Sequence, residues 1–237
     1  MNDMIRFIGF YDYTVILTYM SLLSALIGMV QAVQGNFIAA IGCLAFSGLC
    51  DAFDGRVARA KKNRTEDQKN YGIQLDSLVD VVAFGVLPAL ICYHMGVQGI
   101  LGLVLVFFYC TCAVIRLVFF NMLEAKRQKE EGGCNKSYRG LPVTSASFIF
   151  PLVFCTQFFL PADFFTAFLY ITLGIVGFLF IFDFKMPKLG LRGILILIGI
   201  VTVVAGIVFA LTQFKKPVAS ESEPTAAAAL TGEFYEA

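Results

Sequence analysis

The chain has 237 residues, of which 58% are hydrophobic and 15% charged, and its formal net charge is +1. A mean hydropathy of +0.78 excludes an ordinary soluble domain, and no nucleic-acid partner is expected of it. Residues 1–12 read as a short N-terminal segment on the cytoplasmic side. Apolar runs follow at Tyr13–Val33, Asn36–Arg59, Gly72–Met95, Gly99–Met122, Pro142–Leu160, Ala162–Phe182 and Leu191–Phe214, each long enough to cross ~30 Å of hydrocarbon. The first run is too long for a cleavable signal, and Asp3 and Asp12 do not suit a basic leader, so it is expected to stay as a membrane helix. The expected fold is an all-α integral membrane protein: a helical bundle of six core transmembrane helices plus an additional C-terminal span, together forming a membrane-embedded domain over residues 13–214. Residues 215–237, with Pro217, Pro224 and the alanines at 226–229, read as a disordered low-complexity tail.

The small net charge hides an ordered distribution. Lys61, Lys62, Arg64 and Lys69 share one connection, Lys126, Arg127, Lys129, Lys136 and Arg139 a second, and Lys185, Lys188 and Arg192 a third. The connections around Gln34, Gly96 and Pro161 carry no Lys or Arg. Alternate loops are therefore basic, which puts the amino terminus and the basic loops on the cytoplasmic face of a multi-pass protein of the plasma membrane. Lys215 and Lys216 run against an external tail, so the placement of the seventh segment stays open. The seven cysteines form no CxxC pair and read as buried free thiols. The only histidine, His94, falls at the opposite end of its run from the acidic residues described next, which excludes Ser/His/Asp and Cys/His catalytic arrangements. There is no Walker-type glycine loop and no dinucleotide fingerprint.

Asp51-Ala-Phe-Asp54-Gly55-Arg56-Val57-Ala58-Arg59, followed by Gly72, Asp76 and Asp80 at four-residue spacing, sets four carboxylates inside runs that otherwise read as membrane helix. Ionised Asp in hydrocarbon is costly and needs compensation. On helices Asp51 and Asp54 share a face, as do Gly72, Asp76 and Asp80. At ~1.5 Å per residue, Asp54 and Asp51 lie about 7 and about 12 Å from Arg59, and Asp76 and Asp80 about 6 and about 12 Å from Gly72. If the hydrophilic stretch Ala60–Tyr71 is the turn between antiparallel helices, all four acids meet at one level, in a pocket reached from the interface. Pairing with Arg56, Arg59 or Arg116 can explain one such Asp, but four at two helical spacings, beside the small residues Gly55 and Ala58, point to a site. Oxygen-only ligation without His or Cys suits Mg²⁺ or Mn²⁺ on Asp51, Asp54, Asp76 and Asp80, and two such ions balance the four charges. A cation-filled pocket just below the headgroups suits chemistry on a phosphate whose alkyl chains stay in the bilayer.

This string resembles the signature of the CDP-alcohol phosphotransferases, membrane enzymes that move a phosphoryl-linked group from a CDP-alcohol to an acceptor hydroxyl and release CMP. Its fixed positions stand here as Asp51, Asp54, Gly55, Ala58, Arg59, Gly72, Asp76 and Asp80, and the resemblance covers residues 13 to 182. The gap between Arg59 and Gly72, Ala60 to Tyr71, is longer than the family's by about one helical turn, and Lys61–Asn70 is polar enough to loop out. Gln74-Leu75-Asp76-Ser77-Leu78, Phe84-Gly85-Val86-Leu87-Pro88-Ala89 and Arg139-Gly140-Leu141-Pro142 are similar to the phosphatidylserine synthase branch. Arg116-Leu117 with Asn121 is similar too, although Val118-Phe119-Phe120 departs from that branch, and Leu17-Thr18 lacks the usual preceding Pro-Asn.

The resemblance implies that Asp51, Asp54 and Asp76 hold a divalent cation against the diphosphate, and that Asp80 joins a second metal position and serves as the catalytic general base. It assigns nucleotide and diphosphate contacts to Asp51, Gly55, Ala58, Arg59 and Gly72. The substrates it implies are CDP-diacylglycerol and L-serine among membrane lipids, and the assembly a homodimer. Arg116, Asn121 and Arg139 are the candidates for gripping the serine. A different acceptor, glycerol-3-phosphate or inositol phosphate, is the rival within the family. An ion-coupled transporter is the rival outside it, disfavoured because the extracellular halves of the helices are almost wholly apolar.

Overall fold

A computed structural model of the chain describes residues 9–11, 13–61, 65–129 and 137–187, without the side chains at 14, 56, 58–60, 126–129, 137–139 and 185–187. The expected seventh span Leu191–Phe214 and the tail 215–237 lie outside the described residues. After a 3₁₀ turn at Tyr13–Val15, α1 spans Ile16–Val33 and α2 Phe37–Ala60. Their contact inverts the pattern of a soluble bundle. Thr18, Ser21, Ser24, Ala25, Gly28 and Ala32 are the buried positions of α1, whereas Leu23, Leu26, Ile27 and Val30 are exposed. Lipid is as apolar as leucine, so large side chains gain nothing by turning inward, while small ones allow close backbones and interhelical hydrogen bonds. Those bonds are present: Ser47 Oγ donates to the Ser21 carbonyl at 3.0 Å, Ser21 Oγ to the Ser47 carbonyl at 3.4 Å, and Ser24 Oγ to the Cys43 carbonyl at 2.9 Å.

The polar stretch after α2 does not loop out over its whole length. Helix α3, Glu66–Asp80, begins within it, because Thr65 forms a reciprocal capping box with Gln68. Glu66 and Asp67 in the first turn complement the positive end of the helix dipole. A π-helical segment, Val81–Val86, joins α3 to α4, Leu87–His94. Helix α5, Gly99–Lys129, is about 46 Å long, exceeding the hydrocarbon thickness, so it carries its polar end from Glu124 onward clear of the apolar layer. Strand β1, Ser137–Arg139, pairs antiparallel with β2, Lys185–Pro187, after α6, Ala146–Cys155, and α7, Ala162–Ile181. Gly140, at φ +72°, turns the chain where its N–H donates to the Phe184 carbonyl at 2.7 Å. A side chain there would crowd the Phe182 carbonyl.

Among the described residues, five helical stretches are long and apolar enough to cross a membrane: Ile16–Val33, Phe37–Gly55, Glu66–His94, Gly99–Ala125 and Ala162–Ile181. The expected span at Pro142–Leu160 is shorter, a continuous helical stretch over Val143–Phe158. Two 3₁₀ turns, Val143–Ser145 and Thr156–Phe158, flank an α6 of ten residues that contains Pro151. The protein is thus an all-helical multi-pass membrane protein apart from one small ribbon, with six core spans not established among the described residues.

At the end where the chain enters, the described residues flanking the first basic connection pack against the amino-terminal segment. Phe10 packs edge-on against Tyr71 with ring centroids 5.5 Å apart, and the Lys61 ammonium lies 5.6 Å over the Tyr13 ring. At the other end Tyr170 donates to the Gln98 carbonyl at 2.7 Å, tying α7 to the α4–α5 connection.

Helices α2 and α6 meet where a Cβ on Gly48 would collide with the Ser147 side chain. Gly48→Ala is expected to destabilise the protein by about 1–3 kcal/mol through overpacking, and Ser147→Gly to restore most of it in the double variant. Thermal melting of the four proteins in detergent checks this.

Candidate active site

The seam between α1 and α2 leads to the first pair of acids. Ser47 is fully buried on α2, and Asp51 and Asp54 follow it one and two turns on. Asp54 is 6% exposed and its Oδ2 accepts from Thr18 Oγ1 at 3.2 Å, so the last contact of the seam is also the first contact of the site. The second pair comes from α3, with Asp76 partly buried and Asp80, the last residue before the π segment, 7% exposed.

One carboxylate oxygen each from Asp51, Asp76 and Asp80 lies within 4.8 Å of the other two. Asp54 stands beside this triad, within hydrogen-bonding reach of Asp76. The expected meeting of two helices' acids at one level is therefore the observed geometry, as a triad with a flanking fourth carboxylate. Three acidic oxygens this close repel one another unless a cation lies between them. The donor set is all oxygen, with neither His nor Cys, and so fits a hard divalent ion such as Mg²⁺ or Mn²⁺.

The other sequence candidates are placed as follows. Gly55 follows Asp54 on α2, and Gly72 lies one turn before Asp76 on α3, both partly exposed. Ala58, Arg59 and Arg139 have described backbones in α2 and β1, but their side chains lie outside the described residues. Arg116 is 6% exposed, its Nε donates to the Leu141 carbonyl at 3.1 Å, and its guanidinium sits 5.8 Å from the Phe120 ring centroid. Asn121 Oδ1 accepts from Ser77 Oγ at 2.9 Å. A Cβ on Gly85 would touch Ala113 at 3.4 Å. These two contacts fix the antiparallel register of α3 and its extension against α5, and by interpolation they set Arg116 level with Val82, about half a turn beyond Asp80.

Sequence reasoning gave no role to Thr18. The signal was its place in a stripe of small and polar residues, Thr18, Ser21, Ala25 and Gly28, that marks the buried face of α1. Projected along the antiparallel partner, that stripe points at Asp54.

Residues 13–205 match the family model described as CDP-alcohol phosphatidyltransferase. The chain belongs to this family. Among curated relatives, the CDP-diacylglycerol–serine O-phosphatidyltransferase of Saccharomyces cerevisiae is 36% identical over 113 residues, which are 46% of this chain and 40% of that protein. A protein of the same name from Methanocaldococcus jannaschii is 28% identical over 170 residues, 72% of each chain. The archaetidylserine synthase of Methanothermobacter thermautotrophicus is 28% identical over 160 residues, 67% of this chain and 64% of that protein. The matched region spans only 40% of the yeast relative and 37% of a Mycobacterium tuberculosis one.

If the acidic triad holds a divalent ion, Mn²⁺ at about 100 times its dissociation constant stabilises the folded protein by about 2.7 kcal/mol. Asp76→Asn is expected to abolish this gain and Thr18→Val to reduce it, while Thr18→Ser preserves it. Melting temperatures with and without Mn²⁺ provide the readout.

Proposed function

We propose that the protein transfers the phosphatidyl group of CDP-diacylglycerol to the hydroxyl of L-serine, giving phosphatidylserine and CMP. The observation that carries this reading is the acidic triad formed between α2 and α3 inside a membrane bundle of the phosphatidyltransferase family. The serine acceptor is favoured because relatives from yeast and from two archaea all carry serine in their names.

Asp51, Asp54, Asp76 and Asp80 would hold one or two ions of Mg²⁺ or Mn²⁺. When bound, such ions supply neutralisation of the diphosphate and of the charge that develops during phosphoryl transfer. The rest is work for the chain's own side chains. Gly55, Ala58 and Gly72 leave room for the cytidine nucleotide against the helix backbones, and Arg59 pairs with a diphosphate oxygen. Asp80 accepts the proton of the serine hydroxyl as that oxygen bonds to the lipid-side phosphorus, while the bond from this phosphorus to the CMP oxygen breaks. Burial of Asp80 keeps water from competing with serine for the same phosphorus.

Arg116, level with Val82, is assigned the serine carboxylate, with Asn121 and Arg139 nearer the basic end. Its Nε contact with Leu141 fixes the plane of the guanidinium. The active site opens to the cytoplasm under the positive-inside rule, in the plasma membrane, and the protein works as a homodimer.

Purified protein is to be given CDP-diacylglycerol, Mn²⁺ or Mg²⁺, and serine, glycerol-3-phosphate or inositol phosphate in separate reactions, with CMP measured. Metal-dependent release with serine alone is expected; release with another acceptor alone reassigns the headgroup, and no release with any of them favours transport. Asp80→Asn should lower turnover by at least ~10²-fold while CDP-lipid binding persists. Arg116→Lys should raise the serine KM by roughly 10-fold, since loss of the planar fork costs about one charge-assisted hydrogen bond. An unchanged KM would remove Arg116 from the serine site.

A further inference from the structure

The span Glu66–His94 is not evenly wound. Between α3 and α4 the Leu87 N–H bonds to the Val82 carbonyl, five residues back rather than four. The cause lies one residue further on. Pro88 has no N–H to give the Phe84 carbonyl, and in a regular α-helix its ring would press against that oxygen. The carbonyl is instead taken by the hydroxyl of Tyr109 on α5, at 2.8 Å. On the next residue, Cys110 Sγ donates to the Gly85 carbonyl at 3.5 Å. Tyr109 is fully buried, with its ring edge-on to Phe150 at 5.7 Å and tilted against Phe180 at 5.4 Å.

The wound segment begins directly after Asp80. On its far side α4 is anchored, with Leu87, Pro88, Ala89, Ile91 and Cys92 all buried. With α4 fixed, the direction in which Asp80 and Asp76 point is set by the winding between them and α4. Taking one residue's worth of winding out of that segment turns α3 by about 100°, which carries both carboxylates away from Asp51. We propose that Tyr109 is a positioning residue for Asp80: its hydroxyl holds the Phe84 carbonyl and so keeps the π segment that aims the α3 acids at the triad. This deepens the phosphatidyltransfer reading, in which Asp80 is the base, but it concerns the geometry of the acids themselves.

The test uses the full chain in detergent with Mn²⁺ alone, following free Mn²⁺ by electron paramagnetic resonance. Tyr109→Phe keeps the ring and removes the donor, and it is expected to weaken Mn²⁺ binding by about 10- to 100-fold, as loss of a group that orients a ligand does. Phe150→Leu disturbs the same packing without touching the hydrogen bond and is expected to bind Mn²⁺ as the wild type does. Pro88→Ala, which returns an N–H to the Phe84 carbonyl and lets regular winding resume, is expected to lose affinity as Tyr109→Phe does. A Tyr109→Phe isotherm that superposes on the wild type overturns the proposal, as does an equal loss in Phe150→Leu or wild-type affinity in Pro88→Ala. Serine-dependent CMP release by the wild type, measured in parallel, reports on the phosphatidyltransfer reading alone, so the two can fail separately.

Discussion

A carboxylate held at membrane depth has to be compensated, and the described helices are arranged around the one place where that happens. Asp51 and Asp54 arrive on α2, Asp76 and Asp80 on α3, and one oxygen from each of three of them converges within 4.8 Å. No single helix can do this. Two antiparallel helices can, provided that their depths match and that each turns its acidic face toward the other. The close α1–α2 seam, the capped start of α3, its register against α5 and the π segment each fix one of those variables.

The forces involved are those available in lipid. Because hydrocarbon gives no reward for burying large apolar side chains, the buried face of α1 is made from Ser, Ala, Gly and Thr, and hydroxyl hydrogen bonds run along the seam to backbone carbonyls and finally to the Asp54 carboxylate. Alignment of α1 with α2 and placement of Asp54 are thus one interaction. The same economy holds on the other side. Ser77 with Asn121, and the Phe84 carbonyl with Tyr109, pin α3 and its extension to α5 at two depths, on either side of Asp80. A rigid frame of this kind suits a reaction in which a lipid-linked diphosphate, a cation and a small polar acceptor must meet at one phosphorus atom.

Much of this was legible in the sequence. Spacings of three and four residues put the acids on shared faces, and equal distances from the polar stretch put them at equal depth, because both follow from helix geometry alone. The apolar runs located the long spans to within a few residues at most of their ends. What was not legible depends on contacts between distant residues or on local chemistry that competes with hydropathy. Thr65 and Gln68 start α3 inside a stretch that reads as loop, since a capping box outweighs polarity. The run Pro142–Leu160 is apolar enough to span, yet its helical stretch covers only Val143–Phe158, with a 3₁₀ turn at each end. The π segment before Pro88 was not foreseen, because the run Gly72–Met95 reads as one regular span. Thr18 appeared in the sequence only as half of a Leu-Thr pair with no role attached, and Arg116 spends its Nε on a backbone carbonyl that sequence spacing does not bring near it.

The most direct test of the account is to find the cation. Crystals of the full chain grown with Mn²⁺ and measured at the manganese absorption edge should give an anomalous peak enclosed by Asp51, Asp76 and Asp80, with Asp54 alongside. Carboxylates that point apart, or a peak only at some other place on the molecule, would contradict it.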